Sequence, residues 1–299
     1  VKINGILNIL KPPGMTSHDV VEVVRDLLKI KRVGHTGTLD PGASGVLVLC
    51  IGKATKLTTY IVEGKKVYRA EITFGVSTDT YDNYGKIVRI KKADVSKLKL
   101  IKILKKYMGE VYQIPPMTSA LKHKGKRLYE LARKGIKVDI KKRKVRIYNI
   151  DLIKFSPPDK ALIDVKCSKG TYIRSLCNDI GEAMGCGAHL SFLVRKRVGP
   201  FTLKDSITLE ELKAAIKRNI LHQFVLPLDY PLRDYPAINI TDEKIVKRIK
   251  NGNPVKTFDY SKGKNSSFVR IYFDDRFAAI GMIKTCGKET IIKPVNVFV

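Results

Sequence analysis

The residues with the most chemical potential sit in one glycine-rich run, Gly34-His35-Thr36-Gly37-Thr38-Leu39-Asp40-Pro41-Gly42-Ala43-Ser44-Gly45. It carries a carboxylate, Asp40, and an imidazole, His35, on a backbone permissive enough for close approach of a ligand. Asp before Pro with flanking glycines is also ordinary turn chemistry. Against that plain reading, the run is long and joins a helical pattern to an apolar strand pattern, which would let the core hold Asp40 rigidly. The neighbourhood of Asp40 alone leaves turn and site both open. Two nearby patterns are decoys. Gly52-Lys53-Ala54-Thr55 resembles the end of a phosphate-binding loop, but the preceding glycine is Gly45 and no Ser or Thr is adjacent to Lys53. Gly42-Ala43-Ser44-Gly45 is not the spacing of a nucleophile elbow.

The elements that must position this run can be read from periodicity. A strand over residues 3–10 meets the breaker Lys11-Pro12-Pro13-Gly14. Thr16-Ser17-His18-Asp19 has the form of a capping box, and apolar residues at helical spacing predict an amphipathic helix over 17–29. Residues 33–45 read as loop and 46–51 as a short buried strand. Strands are expected at 68–74 and 161–167, with a polar loop over 75–85 and an apolar run at 145–153. Helices are expected at 97–108, 171–184, 208–217 and 242–250, and strands at 268–273, 277–283 and 290–297. Helices and strands mix without regular βαβ spacing, which predicts an α+β domain built on a mixed sheet. Pro227, Pro231 and Pro236 mark a linker-like stretch. The expected organisation is a catalytic domain over 1–231, with a basic insertion at about 118–154, and a small β-barrel-like domain over 232–299.

Charge narrows the partner. The 299 residues hold 57 Lys and Arg against 28 Asp and Glu, a formal net charge of +29. Self-repulsion on that scale opposes compactness and points to a polyanion, with nucleic acid favoured over a membrane surface. The longest apolar stretch, residues 46–51, is far short of the ~20 residues of a spanning helix. No secretory leader is expected. The five cysteines form no C-x-x-C pair, so free thiols in a reducing cytoplasm are expected rather than disulfides or a metal site.

Several further motifs share a pattern with the Asp40 run. Preceded by NILKPPGMTSHDVV, the run GHTGTLDPGASGVL resembles the signature of the TruB family of pseudouridine synthases. Lys66-Val67-Tyr68-Arg69-Ala70 and Gly75-x-x-Thr78-Asp79-Thr80 match the family's second motif, and Pro115-Pro116-Met117-Thr118-Ser119-Ala120-Leu121-Lys122 the next. Gly170-Thr171-Tyr172-Ile173-Arg174-Ser175-Leu176, Gly187-Ala188-His189-Leu190, Leu193 with Arg195, and Arg197-x-Gly199-Pro200-Phe201 follow in order over residues 5–212. Residues 249–252 resemble a PUA-type RNA-binding module, a looser match.

The resemblance implies isomerisation of one uridine in structured RNA, the T-loop uridine at position 55 of tRNA, with no cofactor. It implies Asp40, Tyr68 and Arg174 as the catalytic set, with Asp40 acting as a nucleophile or a base. Arg174 would be the cation that orients Asp40 and pulls its pKa down. Tyr68 would offer a ring to the extruded uracil. His35, Gly37, Thr38, Tyr172, Lys122 and Leu193 are the implied substrate contacts. The basic insertion would clamp the RNA stem-loop through phosphates. A cytoplasmic monomer working without protein partners is expected. A guide-RNA-dependent rRNA synthase and a non-catalytic RNA chaperone stand as alternatives.

Overall fold

Alternation of inward and outward residues builds the centre of the molecule, seen best in the nine residues of Lys66–Phe74, where every second side chain is buried and, from Tyr68 on, apolar. The computed structural model describes residues 3–136, 138–257, 267–286 and 289–299. In chain order the first half holds β1 (Gly5–Lys11), α1 (Ser17–Leu28), β2 (Val33–His35), β3 (Ser44–Ile51), α2 (Thr58–Val62), β4 (Lys66–Phe74), β5 (Val76–Thr78), β6 (Ile87–Ile90), α3 (Lys97–Lys106) and β7 (Gly109–Gln113). A small hairpin, β8 (Lys122–His123) and β9 (Lys126–Arg127), leads into α4 (Leu128–Arg133). Then come β10 (Arg143–Ser156), β11 (Lys160–Cys167), α5 (Ile173–Met184), β12 (Ala188–Val198), β13 (Phe201–Thr202) and α6 (Leu209–Lys217). The remainder comprises β14 (Ala237–Ile240), α7 (Glu243–Lys250), β15 (Val255–Thr257), β16 (Phe268–Phe273), β17 (Arg276–Cys286) and β18 (Glu289–Val297).

The main sheet runs β1-β3-β12-β4-β11-β10-β7, antiparallel except where β12 lies parallel to β3. This is the mixed-sheet α+β fold expected. Leu176, Cys177 and Ile180 of α5 share one core with Ala70, Ile72, Ile163 and Val165. Val20, Val21 and Val24 of α1 share a second with Leu47, Leu49 and Ile51 of β3. The second sheet, β14-β16-β17-β18-β15, curls around a core of its own that includes Ile249, Val269 and Ile271. It is fastened to the first by Lys56 donating to the Val297 carbonyl at 2.9 Å, by Tyr60 donating to Asn296 at 3.0 Å, and by Tyr60, Tyr235 and Phe268 packing together.

Three expectations change. Residues 33–45 are not wholly loop, because β2 pairs with β3 from Val33 to His35 and β3 starts at Ser44. The expected polar loop over 75–85 begins with β5, which pairs with β6. The basic segment outside the sheet ends near residue 142, not 154, since β10 from Arg143 onward pairs with β7 and β11. The physical reason is period two: Val145 and Ile147 face the core while Lys144 and Arg146 face water, so one strand reads as a basic run.

Helix packs closely on sheet at Gly181. A β-carbon there would lie 2.2 Å from the Ala188 nitrogen and 2.4 Å from its Cβ. Gly181→Ala is therefore expected to force α5 away from β12 and cost about 1–3 kcal/mol, the usual scale of overpacking. A lowered urea midpoint at unchanged m-value checks it.

Candidate active site

The loop carrying Asp40 is held from three directions. From α1, Ser17 Oγ accepts from the Leu39 amide at 2.8 Å and donates to its carbonyl at 3.1 Å. The capping box of Thr16 and Asp19 sets that helix start. From β1, the buried Lys11 ammonium donates to the carbonyls of Pro41 at 3.2 Å and Ala43 at 2.8 Å. From β12, the buried Arg195 guanidinium donates to the carbonyls of Gly37 at 2.9 Å, Thr38 at 3.3 Å and Val46 at 2.8 Å. The Asp40 and Pro41 carbonyls also accept from the amides of Ala43 at 3.0 Å and Gly14 at 2.9 Å.

Arg174 enters from the first turn of α5. Its Nε and Nη2 meet the two carboxylate oxygens of Asp40 at 3.0 and 3.1 Å, a two-point pair. Its Nη1 reaches Thr118 Oγ1 at 2.5 Å, the Thr80 carbonyl at 3.2 Å and Asp82 at 3.4 Å. The helix start is itself fixed by Gln113, which donates to the Tyr172 carbonyl at 3.2 Å and accepts from its amide at 3.0 Å. Ser175 ties the same turn to the Ile114 carbonyl at 2.7 Å. The Arg174 side chain is 5% exposed and that of Asp40 40%, so the carboxylate is open to the cleft while its partner is not.

Burial pushes the Asp40 carboxyl above its ordinary value, outweighing the downward pull of Arg174; Asp82 adds to the rise and Lys11 opposes it. The net direction is opposite to that expected from the cation alone, because desolvation is the larger effect. Burial also lowers Lys11 to about 8, lowers His35, aided by Arg195, and raises the Tyr68 phenol against the pull of Arg195. His35 is therefore an uncharged imidazole at neutral pH.

These groups surround a cleft of about 1050 Å³, at the upper end of ordinary ligand pockets. His35, Thr38, Asp40, Arg174 and Leu193 line it, as do Arg127 and Arg133. Gly37 lies just behind, its amide on His35 Nδ1 at 3.3 Å. Tyr68 is beneath the lining at 8% exposure, directly across the strand pair from Arg195. Tyr172 is also outside the lining, half-buried where burial raises its phenol and Ser119 opposes. Lys122 is exposed on β8 and does not reach the cleft wall.

Comparison with known proteins decides the family. The model of the TruB family pseudouridylate synthase N-terminal domain matches residues 25–173, and that of the tRNA pseudouridylate synthase B C-terminal domain residues 174–233. A tRNA pseudouridine synthase B of Clostridium kluyveri is 47% identical over 99% of this chain and 100% of its own length. The chain belongs to the TruB family of pseudouridine synthases. The namesake from Pelotomaculum thermopropionicum is 50% identical over 84% of this chain and 81% of its own length. Among solved structures, a Cbf5–Nop10–Gar1 complex aligns with a TM-score of 0.76 at 28% identity, covering 99% of this chain and 84% of the other.

Within the TruB framework, the site contains residues that the sequence reading left unassigned. Asp82 and Thr118 complete the shell around Arg174, while Lys11 and Arg195 hold the Asp40 loop. Lys11, Thr118 and Arg195 stand inside motif segments and Asp82 two residues beyond one, so the motifs were the available signal; their roles depend on long-range contacts. For an Asp40 that reacts as its carboxylate, the raised pKa predicts that kcat/KM falls with decreasing pH through a value above 3.8. Arg174→Gln removes a group that favours the carboxylate, so the acidic limb should move to higher pH and kcat/KM fall at least about tenfold. A pH–rate profile of both proteins checks this.

Proposed function

We propose that this protein isomerises uridine to pseudouridine in tRNA and that its target is the T-loop uridine at position 55. The observation carrying this reading is the two-point Asp40–Arg174 pair, with its carboxylate open to a cleft large enough for an extruded nucleotide. The match to tRNA pseudouridine synthase B relatives over the whole chain supports the substrate class. In the reaction the C1′–N1 bond breaks and a C1′–C5 bond forms, while the C5 proton is lost and N1 gains one. The product is an isomer, so the chemistry has no call on a redox group.

Arg174 fixes the carboxylate's plane, which lets Asp40 meet the sugar either as a nucleophile at C1′ or as a base at C2′. Tyr68, at the base of the site, is the residue placed to carry or relay a proton. Leu193 supplies apolar lining that helps retain the detached uracil, and neutral His35 suits a gap left in the RNA stack by the flipped base. The net charge of +29 and the cationic wall of Arg127 and Arg133 serve phosphate contacts. The tail over 232–299 is assigned as a PUA-type RNA-binding domain on its curled sheet and its motif. The protein is taken to act alone, as a monomer in the cytoplasm.

Purified protein with an unmodified tRNA transcript, and no guide RNA or partner, should release tritium from [5-³H]uridine at one position. Turnover that appears only with a guide RNA would favour the guide-dependent reading instead. Asp40→Asn should abolish release while RNA binding stays within a few-fold of wild type; unchanged turnover would remove Asp40 from the mechanism. Affinity should also fall steeply with salt, with a log–log slope of about −0.7 to −0.9 per phosphate contact, read from titrations at several salt concentrations.

A further inference from the structure

An aromatic ring stands on the rim of the cleft that no step above employs. Tyr84 lines the cleft and is 73% exposed. Its ring lies so close to Gly42 that a β-carbon there would sit 2.2 Å from Cε2 and 2.6 Å from Cζ. Gly42 has no left-handed backbone, so what glycine provides at this point is room for the ring rather than a special conformation. One edge of the ring therefore rests on the loop two residues from Asp40, and the rest faces the cleft and water.

The turn that presents the ring is stiff and joined to the catalytic pair. Asp82 Oδ1 accepts from the Tyr84 amide at 3.1 Å and from Thr80 Oγ1 at 2.5 Å. The Asn83 amide donates to the Leu190 carbonyl at 3.2 Å. The other oxygen of Asp82 faces Arg174 at 3.4 Å. Among the described residues, no ring or cation stacks on Tyr84 and no hydrogen bond engages its hydroxyl. A large ring left largely in water forgoes the stabilisation that burial would bring. Elsewhere in the same lining, Arg127 and Arg133 flank Tyr129 at 5.8 and 5.5 Å from its ring centre, a cationic patch suited to phosphates.

We infer that Tyr84 is a stacking platform for an unpaired base beside the uridine that enters the site. Pulling one base from an RNA loop leaves its neighbours with a bare face, and an aromatic side chain replaces the lost partner whatever the base. On this arrangement the RNA loop is gripped on the Pro41–Gly42 side by stacking and elsewhere in the cleft by charge. The inference deepens the RNA-modifying reading above and rests on it.

The test uses the full chain and an unmodified tRNA transcript. Tyr84→Ala and Tyr84→Leu should raise Kd and KM about tenfold, the scale of one lost base–aromatic stack, with the effect on KM rather than kcat. Tyr84→Phe should recover wild-type affinity. Gly42→Ala, which displaces the ring, should raise Kd in the wild-type background and add little in the Tyr84→Ala background. Wild-type affinity in Tyr84→Leu would overturn the inference. So would a fall in kcat with a shifted acidic limb at unchanged Kd, which would mean that Tyr84 serves only to hold Asp82 against Arg174. Absence of turnover by the wild-type protein would strike the functional reading itself, whereas an active wild type with an unaffected Tyr84→Leu strikes this inference alone.

Discussion

A guanidinium removed from water must have all its donors satisfied, and at Arg174 that requirement organises the site. Its partners come from separate stretches of chain: Asp40 from the loop before β3, Thr80 and Asp82 from the turn after β5, and Thr118 from the segment after β7. The helix that delivers it is fixed in turn by Gln113 and by Ser175. One buried cation thus joins four segments around a single open carboxylate. Losing a partner would leave charge stranded in a place that water cannot repair.

Two other buried cations, Lys11 and Arg195, work differently. Both spend their donors on backbone carbonyls of the Asp40 loop. Among the described residues no carboxylate pairs with Arg195. Carbonyl dipoles are weaker partners than carboxylates, and burial accordingly drags the Lys11 ammonium down to about 8. The opposing pressures on Asp40 come from the same crowding: the protein around it partly desolvates the carboxyl, which favours the acid, while cations nearby favour its anion.

Local patterns carried much of the fold. The capping box at Thr16, the alternation in β4 and β11 and the apolar run of β3 all correspond to observed elements. Hairpin β5–β6 escaped because Ile87, Val88 and Ile90 are all exposed, so the strand has no buried face to betray it. Strand β10 was folded into a basic insertion because its outward residues are Lys and Arg. The site was legible only through family motifs. Asp40 and Arg174 lie 134 residues apart, and nothing in either neighbourhood encodes the other. Lys122, basic and inside a motif, stands away from the cleft wall, whereas Arg127 and Arg133 close by line it; spacing alone does not tell which side of a hairpin faces inward.

The wiring of the Asp40 loop has a thermodynamic consequence. The carbonyls of residues 37 to 41 and of Ala43 each already have a donor within the protein. A loop so committed has almost no conformational freedom left to lose when substrate arrives. Ordering a free loop would draw on the free energy of association, at roughly 1–2 kcal/mol for each residue's backbone. Here that entropy is surrendered once, during folding, so the free energy of RNA association remains available for extracting a base from its stack.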